Sequence, residues 1–426
     1  MSDQNLARAV DGCIPIAEAL FEELRRQTKD VAGVTRASYG EGEEKAHTLL
    51  AETARRYDLE VTRDAAANLY MTLKGRANEG HGIIIGSHLD SVPQGGNFDG
   101  AAGVVAGLAA VVALKRAGIT PASDITVMGT RGEESAWFPT LHIGSRFALG
   151  ILPAKELDTI RRADSGRTLA EHMAEAGCDV DAVRAGKHPI DARKVKAYLE
   201  LHIEQGPVLE HEGYPIGVVT GIRGNCRALE GICRGDYGHG GAVPRKLRHD
   251  AVLAMAEYAY RLEQEWEEIE AAGGDMVFTM GKFFTDSKAH AHSKISGEVR
   301  FTVDSRSHTT AILDRMERVY QERAREIGEK RGVRFDLGRI TRVAPAVMDS
   351  GLRTKLWDAV NAYKIPAIDI PSGAGHDAGD FSNAGVPSAM IFIRNPHGSH
   401  NPDEAMAIED FAKGVQVLAR TLSTMG

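Results

Sequence analysis

The sequence predicts an α/β protein: a mixed, largely parallel sheet covered by helices, interrupted by an inserted ferredoxin-like α+β domain. Three observations predict it. Short apolar runs alternate with helix-period segments at both ends of the chain, as a parallel sheet with crossover helices requires. The middle of the chain follows the order β-α-β-β-α-β. The 426 residues, 43% of them hydrophobic, are enough for two domains of about 100–200 residues each.

In chain order, Leu6, Val10, Ile14, Ala17, Leu20, Phe21 and Leu24 recur at helical spacing, with Pro15 expected to break or kink the helix. Residues 82–86, Gly-Ile-Ile-Ile-Gly, read as a buried strand, and 101–117 as a helix whose small residues allow close packing. Further buried strands are expected at 125–128 and 196–202. The middle then reads as strand 226–234, helix 249–272, strands 275–283 and 297–305, helix 309–331 and strand 333–337. Alternation resumes with strand 388–393 and a closing helix over 403–423. The expected division is a discontinuous core domain, 1–221 and 339–426, around an inserted domain, 222–338.

Composition removes several function classes. The net charge is −8, from 51 Lys and Arg against 59 Asp and Glu, which argues against nucleic-acid binding as the main activity. The longest apolar stretch, 104–114, is far short of the roughly 20 residues a membrane span needs. Cys13, Cys178, Cys226 and Cys233 show no C-x-x-C spacing and are too few for a disulfide scaffold. The opening MSDQNLARAVDG lacks a basic segment followed by an apolar one, so a cytoplasmic location is expected. No G-x-S-x-G elbow and no H-E-x-x-H occurs.

Four segments carry most of the chemistry: Gly86-Ser87-His88-Leu89-Asp90, Gly95-Gly96-Asn97-Phe98-Asp99-Gly100, Gly129-Thr130-Arg131-Gly132-Glu133-Glu134 and Leu201-His202-Ile203-Glu204-Gln205. Three of them follow predicted strands, where ligands of open α/β sheets collect. His88, Asp99, Glu134 and His202 form an N/O donor set suited to zinc, manganese, cobalt or nickel. Asp90 is spaced to accept the other N–H of His88 and fix its tautomer. Any one of these side chains is more often a satisfied polar group than a ligand. Together, Asp90, Asp99, Glu133 and Glu134 would repel one another or take protons unless a cation joined them. A water beside such a cation has a pKa near about 7, so a neighbouring carboxylate can take its proton. The two adjacent glutamates then divide into ligand and base.

The motifs HLDSVPQGGNFDGAAGV, GTRGEESAWFP, LHIEQGPVLE and SGAGHDA together resemble the amidase, hydantoinase and carbamoylase branch of the M20 metallopeptidase clan. The resemblance runs from about residue 40 onward and embraces N-carbamoyl-L-amino acid hydrolases, allantoate amidohydrolases and β-ureidopropionases. It implies two divalent metal ions in the core domain. Asp99 would bridge them, with His88 and His202 completing one site and Glu134 and His400 the other. Glu133 would be the general base. The resemblance makes the inserted domain a lid and the interface of a homodimer.

It also assigns substrate residues. His239 would face the developing oxyanion, Arg306 the substrate carboxylate, and Gln205 and His376 line the pocket. Three segments depart from the family pattern: His239-Gly240-Gly241-Ala242-Val243-Pro244-Arg245, Pro396-His397-Gly398-Ser399-His400, and Ser293, which stands where a carboxylate-binding asparagine is usual. The expected activity is metal-dependent hydrolysis of the C–N bond of an N-carbamoyl amino acid or related ureido acid. The alternative is an N-acyl-amino acid amidase or dipeptidase with the same metal centre. From the sequence alone, a structural ion pair of Arg306 with Asp304 or Glu298 is an equal alternative to substrate binding.

Overall fold

The computed structural model describes residues 3–77 and 82–425. Strands β1 (Glu60–Arg63), β2 (Leu69–Leu73), β3 (Ile83–His88), β4 (Ile125–Thr130), β5 (Ala197–Ile203) and β6 (Ile216–Ile222) come first. There follow β7 (Gly224–Arg234), β8 (Gly238–His239), β9 (Val277–Thr279), β10 (Phe283–Thr285), β11 (Lys294–Ile295), β12 (Glu298–Ser307), β13 (Arg334–Asp336) and β14 (Ile340–Val343). Last are β15 (Ala346–Val347), β16 (Ala367–Ser372) and β17 (Ser388–Ile393). Chain contacts divide the molecule into Met1–Thr220 with Val347–Gly426, and Gly221–Ala346.

The first unit is built on a mixed sheet ordered β1-β2-β4-β3-β5-β17-β6-β15, with β16 also pairing β6. Its centre, β4-β3-β5-β17, is parallel. Antiparallel pairs flank it, β1 with β2, β2 with β4, and β17 with β6. Every residue of β3, β5 and β17 is buried. A parallel centre covered on both faces explains why these strands are apolar along most of their length instead of alternating. Helix Ala101–Arg116 buries each residue from Ala101 to Leu114. A Cβ on Gly103 would overlap the Leu201 carbonyl oxygen and the Ser87 side chain, so glycine lets the helix lie directly on β3 and β5. Helix Ile408–Thr424 shares the same apolar core.

Of the break or kink expected at Pro15, the structure has a break: two helices, Asp3–Asp11 and Ile14–Thr28, with Pro15 in the first turn of the second. There its missing N–H would be unpaired in any case, so proline starts a helix here and interrupts none.

The second unit is antiparallel. β7 pairs with β12, β13 and β14, and β12 also pairs with β9 and β10. Helices Ala251–Ala271 and Thr310–Arg331 bury Tyr258, Leu262, Met316 and Tyr320 with Cys226, Ala228, Phe301 and Val303 of the sheet. The strand expected over 275–283 is two short strands, β9 and β10. Between them, Lys282 exchanges hydrogen bonds with Thr302, where the register of β12 shifts between Phe301 and Val303. Residues 340–343, expected in the core domain, form β14 and pair with β7 in this unit. Three of the four are exposed, so they carry no apolar pattern to betray a strand.

Candidate active site

The first unit gathers its acids and histidines at the carboxyl ends of the parallel strands. His88 ends β3, Glu133 and Glu134 follow β4, His202 lies in β5, and His400 lies in the loop after β17. Gly100, at φ 65°, turns the chain into helix Ala101–Arg116. A Cβ there would come within 2.5 Å of the His88 ring, so glycine is what allows Asp99 to sit against that ring.

Asp99 divides two groups of donors. Its Oδ1 lies 3.6 Å from His88 Nε2 and 3.3 Å from His202 Nε2. Its Oδ2 lies 3.3 Å from His400 Nε2, which is 3.2 Å from Glu134 Oε1. His88–Asp99–His202 and Asp99–Glu134–His400 are each close enough to hold one ion. The geometry fits cations on a specific ground. His88 Nδ1 is 3.2 Å from Asp90 Oδ1, and His202 Nδ1 is 2.9 Å from the Ile203 carbonyl oxygen. In the neutral rings both Nε2 atoms are therefore lone pairs beside buried Asp99 Oδ1, which has no hydrogen-bond partner among the described residues, while the Gly100 N–H donates to His202 Nε2 at 3.3 Å. His88 Nε2 and Asp99 Oδ1 thus face each other unpaired, a gap that a cation, or a proton on His88, would fill.

The electrostatics agree. Hydrogen bonds to Asp99 and Glu134 push the His400 pKa up to about 10. Burial opposes a charge on His88, but Glu133, Asp90 and Asp99 outweigh it and hold its pKa well above the usual histidine range. Burial, opposed by His400 and reinforced by Asp99, raises Glu134 to about 7. These carboxylates draw protons wherever no metal supplies the charge.

Residues 84–424 match the family model described as peptidase family M20/M25/M40. The chain belongs to this family. It is therefore a hydrolase of carbon–nitrogen bonds. It is 36% identical to an N-carbamoyl-L-amino acid amidohydrolase of Geobacillus stearothermophilus, over 92% of this chain and 93% of the relative. It is 32% identical to the allantoate amidohydrolase of Escherichia coli (strain K12), over 85% and 86% of the two chains. A hydantoinase/carbamoylase family amidase from Burkholderia ambifaria superposes with a TM-score of 0.85 at 30% identity, over 97% and 96% of the two chains. The resemblance read from the motifs is borne out.

Around the M20 site, Asp90 does more than orient His88. Its Oδ1 accepts the Glu133 N–H at 3.1 Å, and its Oδ2 accepts the Glu134 N–H at 3.2 Å and the Ser38 hydroxyl at 2.6 Å. Gln205 Nε2 donates to Asp99 Oδ2 at 3.0 Å. His376 is 2% exposed, its Nε2 is 2.9 Å from Ser372 Oγ, and its ring packs edge-on against His202.

Sequence reasoning missed four further residues. Glu404 accepts the Phe98 and Asp99 N–H groups at 2.8 and 3.2 Å, and Ser399 Oγ lies between Glu404 Oε2 and Asp99 Oδ2. His142 stands between Glu133 and Asp380. The available signal was for Ser399, beside His400 in the Gly398-Ser399-His400-Asn401-Pro402 segment, and for Glu404 two residues beyond it; nothing in the sequence marked His142 or Asp380.

The remaining predicted residues lie in the second unit. His239 is exposed on β8, opposite Lys294 of β11, and the adjacent Gly240 N–H donates to the Ser293 carbonyl at 2.6 Å. Arg306, on β12, donates to Asp304 Oδ2 at 3.1 Å through Nη2, and Asp304 also pairs with Arg227.

Proposed function

We propose that this protein is a dinuclear metal-dependent amidohydrolase that cleaves an N-carbamoyl amino acid or related ureido acid. The observation that carries this reading is the split of donors across Asp99, one oxygen toward His88 and His202 and the other toward His400, with Glu133 beside both. The N-carbamoyl and allantoate relatives support the substrate class. Two divalent ions, drawn from zinc, manganese, cobalt or nickel, would polarise the carbonyl and acidify the attacking water when bound.

Glu133 takes the proton of that water as its oxygen adds to the carbamoyl carbon. His239 donates to the oxyanion. As the C–N bond breaks, its electron pair goes to the amino acid nitrogen, which receives the proton from Glu133. The carbamate released yields carbon dioxide and ammonia. Arg306 and Ser293 receive the substrate carboxylate, and Gln205, which donates to Asp99 Oδ2, contributes to substrate binding from the first unit. His376, whose Nε2 meets Ser372 and whose ring packs edge-on against His202, serves in this reading as a further substrate-binding residue. The second unit would act as lid and homodimer interface, and mass by light scattering tests the latter.

The test is ammonia release from a panel of N-carbamoyl and N-acyl amino acids, using enzyme stripped with chelator and restored with each metal. Metal-dependent ammonia from a carbamoyl substrate is expected. Hydrolysis of acyl substrates alone would overturn the ureido assignment. Glu133→Gln is expected to keep both metals and lose about 10²–10⁴-fold in kcat. His239→Ala is expected to lose about 10²–10³-fold with metal content unchanged.

A further inference from the structure

The loop that carries Glu133 is fastened to a second segment. The Ile143 N–H donates to the Gly132 carbonyl at 2.9 Å, the Gly144 N–H to Arg131 at 2.8 Å, and the His142 N–H to Glu133 itself at 3.1 Å. At the end of this short ladder His142 takes φ 54°, the left-handed region that side chains other than Asn, Asp and Gly seldom adopt. That backbone turn aims its imidazole between two carboxylates. Nδ1 lies 2.9 Å from Asp380 Oδ2, and Nε2 lies 3.1 Å from Glu133 Oε1. Asp380 is itself held by the Ser145 hydroxyl, which donates to the same Oδ2 at 3.0 Å. The other oxygen of Glu133, Oε2, faces the opposite way, 3.9 Å from His88 Nε2.

We propose that His142, oriented by Asp380, is a positioning residue for Glu133: it engages Oε1 and so presents Oε2 to the reacting water. This rests on Glu133 being the base. A glutamate has three side-chain torsions, and a base that rotates freely spends much of its time out of reach of the proton it must take. The line Asp380–His142–Glu133 restricts that freedom with a ring fixed at Nδ1 by Asp380 and held 3.1 Å from Glu133 Oε1 at Nε2. The buried imidazole is hydrogen-bonded to Asp380 through Nδ1 and lies within ion-pair range of Glu133 Oε1 through Nε2, and the two carboxylates hold its pKa well above the usual histidine range against the cost of burial.

Two substitutions separate positioning from mere packing. His142→Asn keeps the left-handed backbone and places an amide where Nδ1 was, so it can still meet Asp380 but cannot reach Glu133. His142→Gln places its amide nearer Nε2 and can reach Glu133. The expected result is a fall in kcat of about 10–100-fold for His142→Asn, with KM within about threefold of wild type and both metals retained. His142→Gln should lose clearly less. In a Glu133→Asp background, where the shortened carboxylate no longer reaches Nε2, adding His142→Asn should cost under about threefold more. Wild-type kcat in His142→Asn, equal losses in the Asn and Gln variants, or full additivity with Glu133→Asp would each overturn the proposal. Near-normal turnover in Glu133→Gln would instead remove the reading of Glu133 as base, so the two failures are told apart.

Discussion

The hydroxyl of Ser399 has one proton and two carboxylate neighbours, Asp99 Oδ2 at 2.7 Å and Glu404 Oε2 at 2.6 Å. It can donate to only one. Burial and the charge of Asp99 raise Glu404 to about 7, whereas Asp99 is held well below the carboxylate range by His400 and His88 despite its burial. The proton order follows: Glu404 donates to Ser399, and Ser399 donates to Asp99. A neutral Glu404 predicts that Glu404→Gln, which keeps the acceptor for Phe98 N–H and an amide donor for Ser399, leaves metal affinity within a few-fold. Ser399→Ala, by contrast, removes one of the two bonds that orient Asp99 Oδ2, leaving that from Gln205, and should weaken metal binding about 10-fold, read by chelator competition. The residues of this layer were hard to see in the sequence. Candidate ligands such as His88 and Glu134 stand out because acids and histidines cluster beside glycine turns at strand ends. Ser399, Glu404, His142 and Asp380 act through contacts between segments far apart in the chain, and no local spacing encodes those.

Elements were legible where burial is extreme. The apolar runs of β3 and β17 and the small-residue helix Ala101–Arg116 follow from composition alone, because their surroundings tolerate nothing polar. Strands with exposed faces escaped: β1 has no buried residue, and β9 and β10 are short pieces divided at the irregularity in β12. Helix starts were legible without a capping side chain, as in Ala101–Arg116 and Thr310–Arg331, as well as with one. Helix Ala251–Ala271 has such a cap, since Asp250 Oδ1 accepts the N–H groups of Val252 and Leu253 at 3.1 and 3.2 Å. Those two donors have no partner within the helix, so Asp250→Ala should destabilise the second unit by about 0.5–2 kcal/mol, measured by denaturant unfolding. Asp250→Asn, which keeps an acceptor oxygen, should recover most of the loss.

At the scale of the molecule, the candidate metal site would also be a store of folding energy, and pH tests it. Without ions the carboxylates of the first unit hold protons on the neighbouring side chains: His400 is pushed up to about 10, and Glu134 to about 7. Both shifts are upward, so these two groups bind more protons in the folded apo protein than in the unfolded chain, and their share of stability declines as pH rises. Burial lowers His47, His202 and His376, which act in the opposite sense below about 6.5, so the decline is read above that pH. The Glu134 share is lost from its unfolded value near about 4.3 up to about 7, and the His400 share from about 6.5 up to about 10. Metal binding works in the other direction, because each ion must displace those protons and so binds more tightly as pH rises. The melting temperature of chelator-stripped protein is thus expected to fall between pH 6.5 and 9.5, while that of metal-restored protein stays nearly level and the gap widens. The gap should shrink markedly in His400→Asn, where neither the proton nor the full ligand set remains. A gap that narrows with pH in the unaltered protein would mean that Asp99, Glu134 and His400 do not share their charge with a cation, and the two-cluster reading of the site would fall with it.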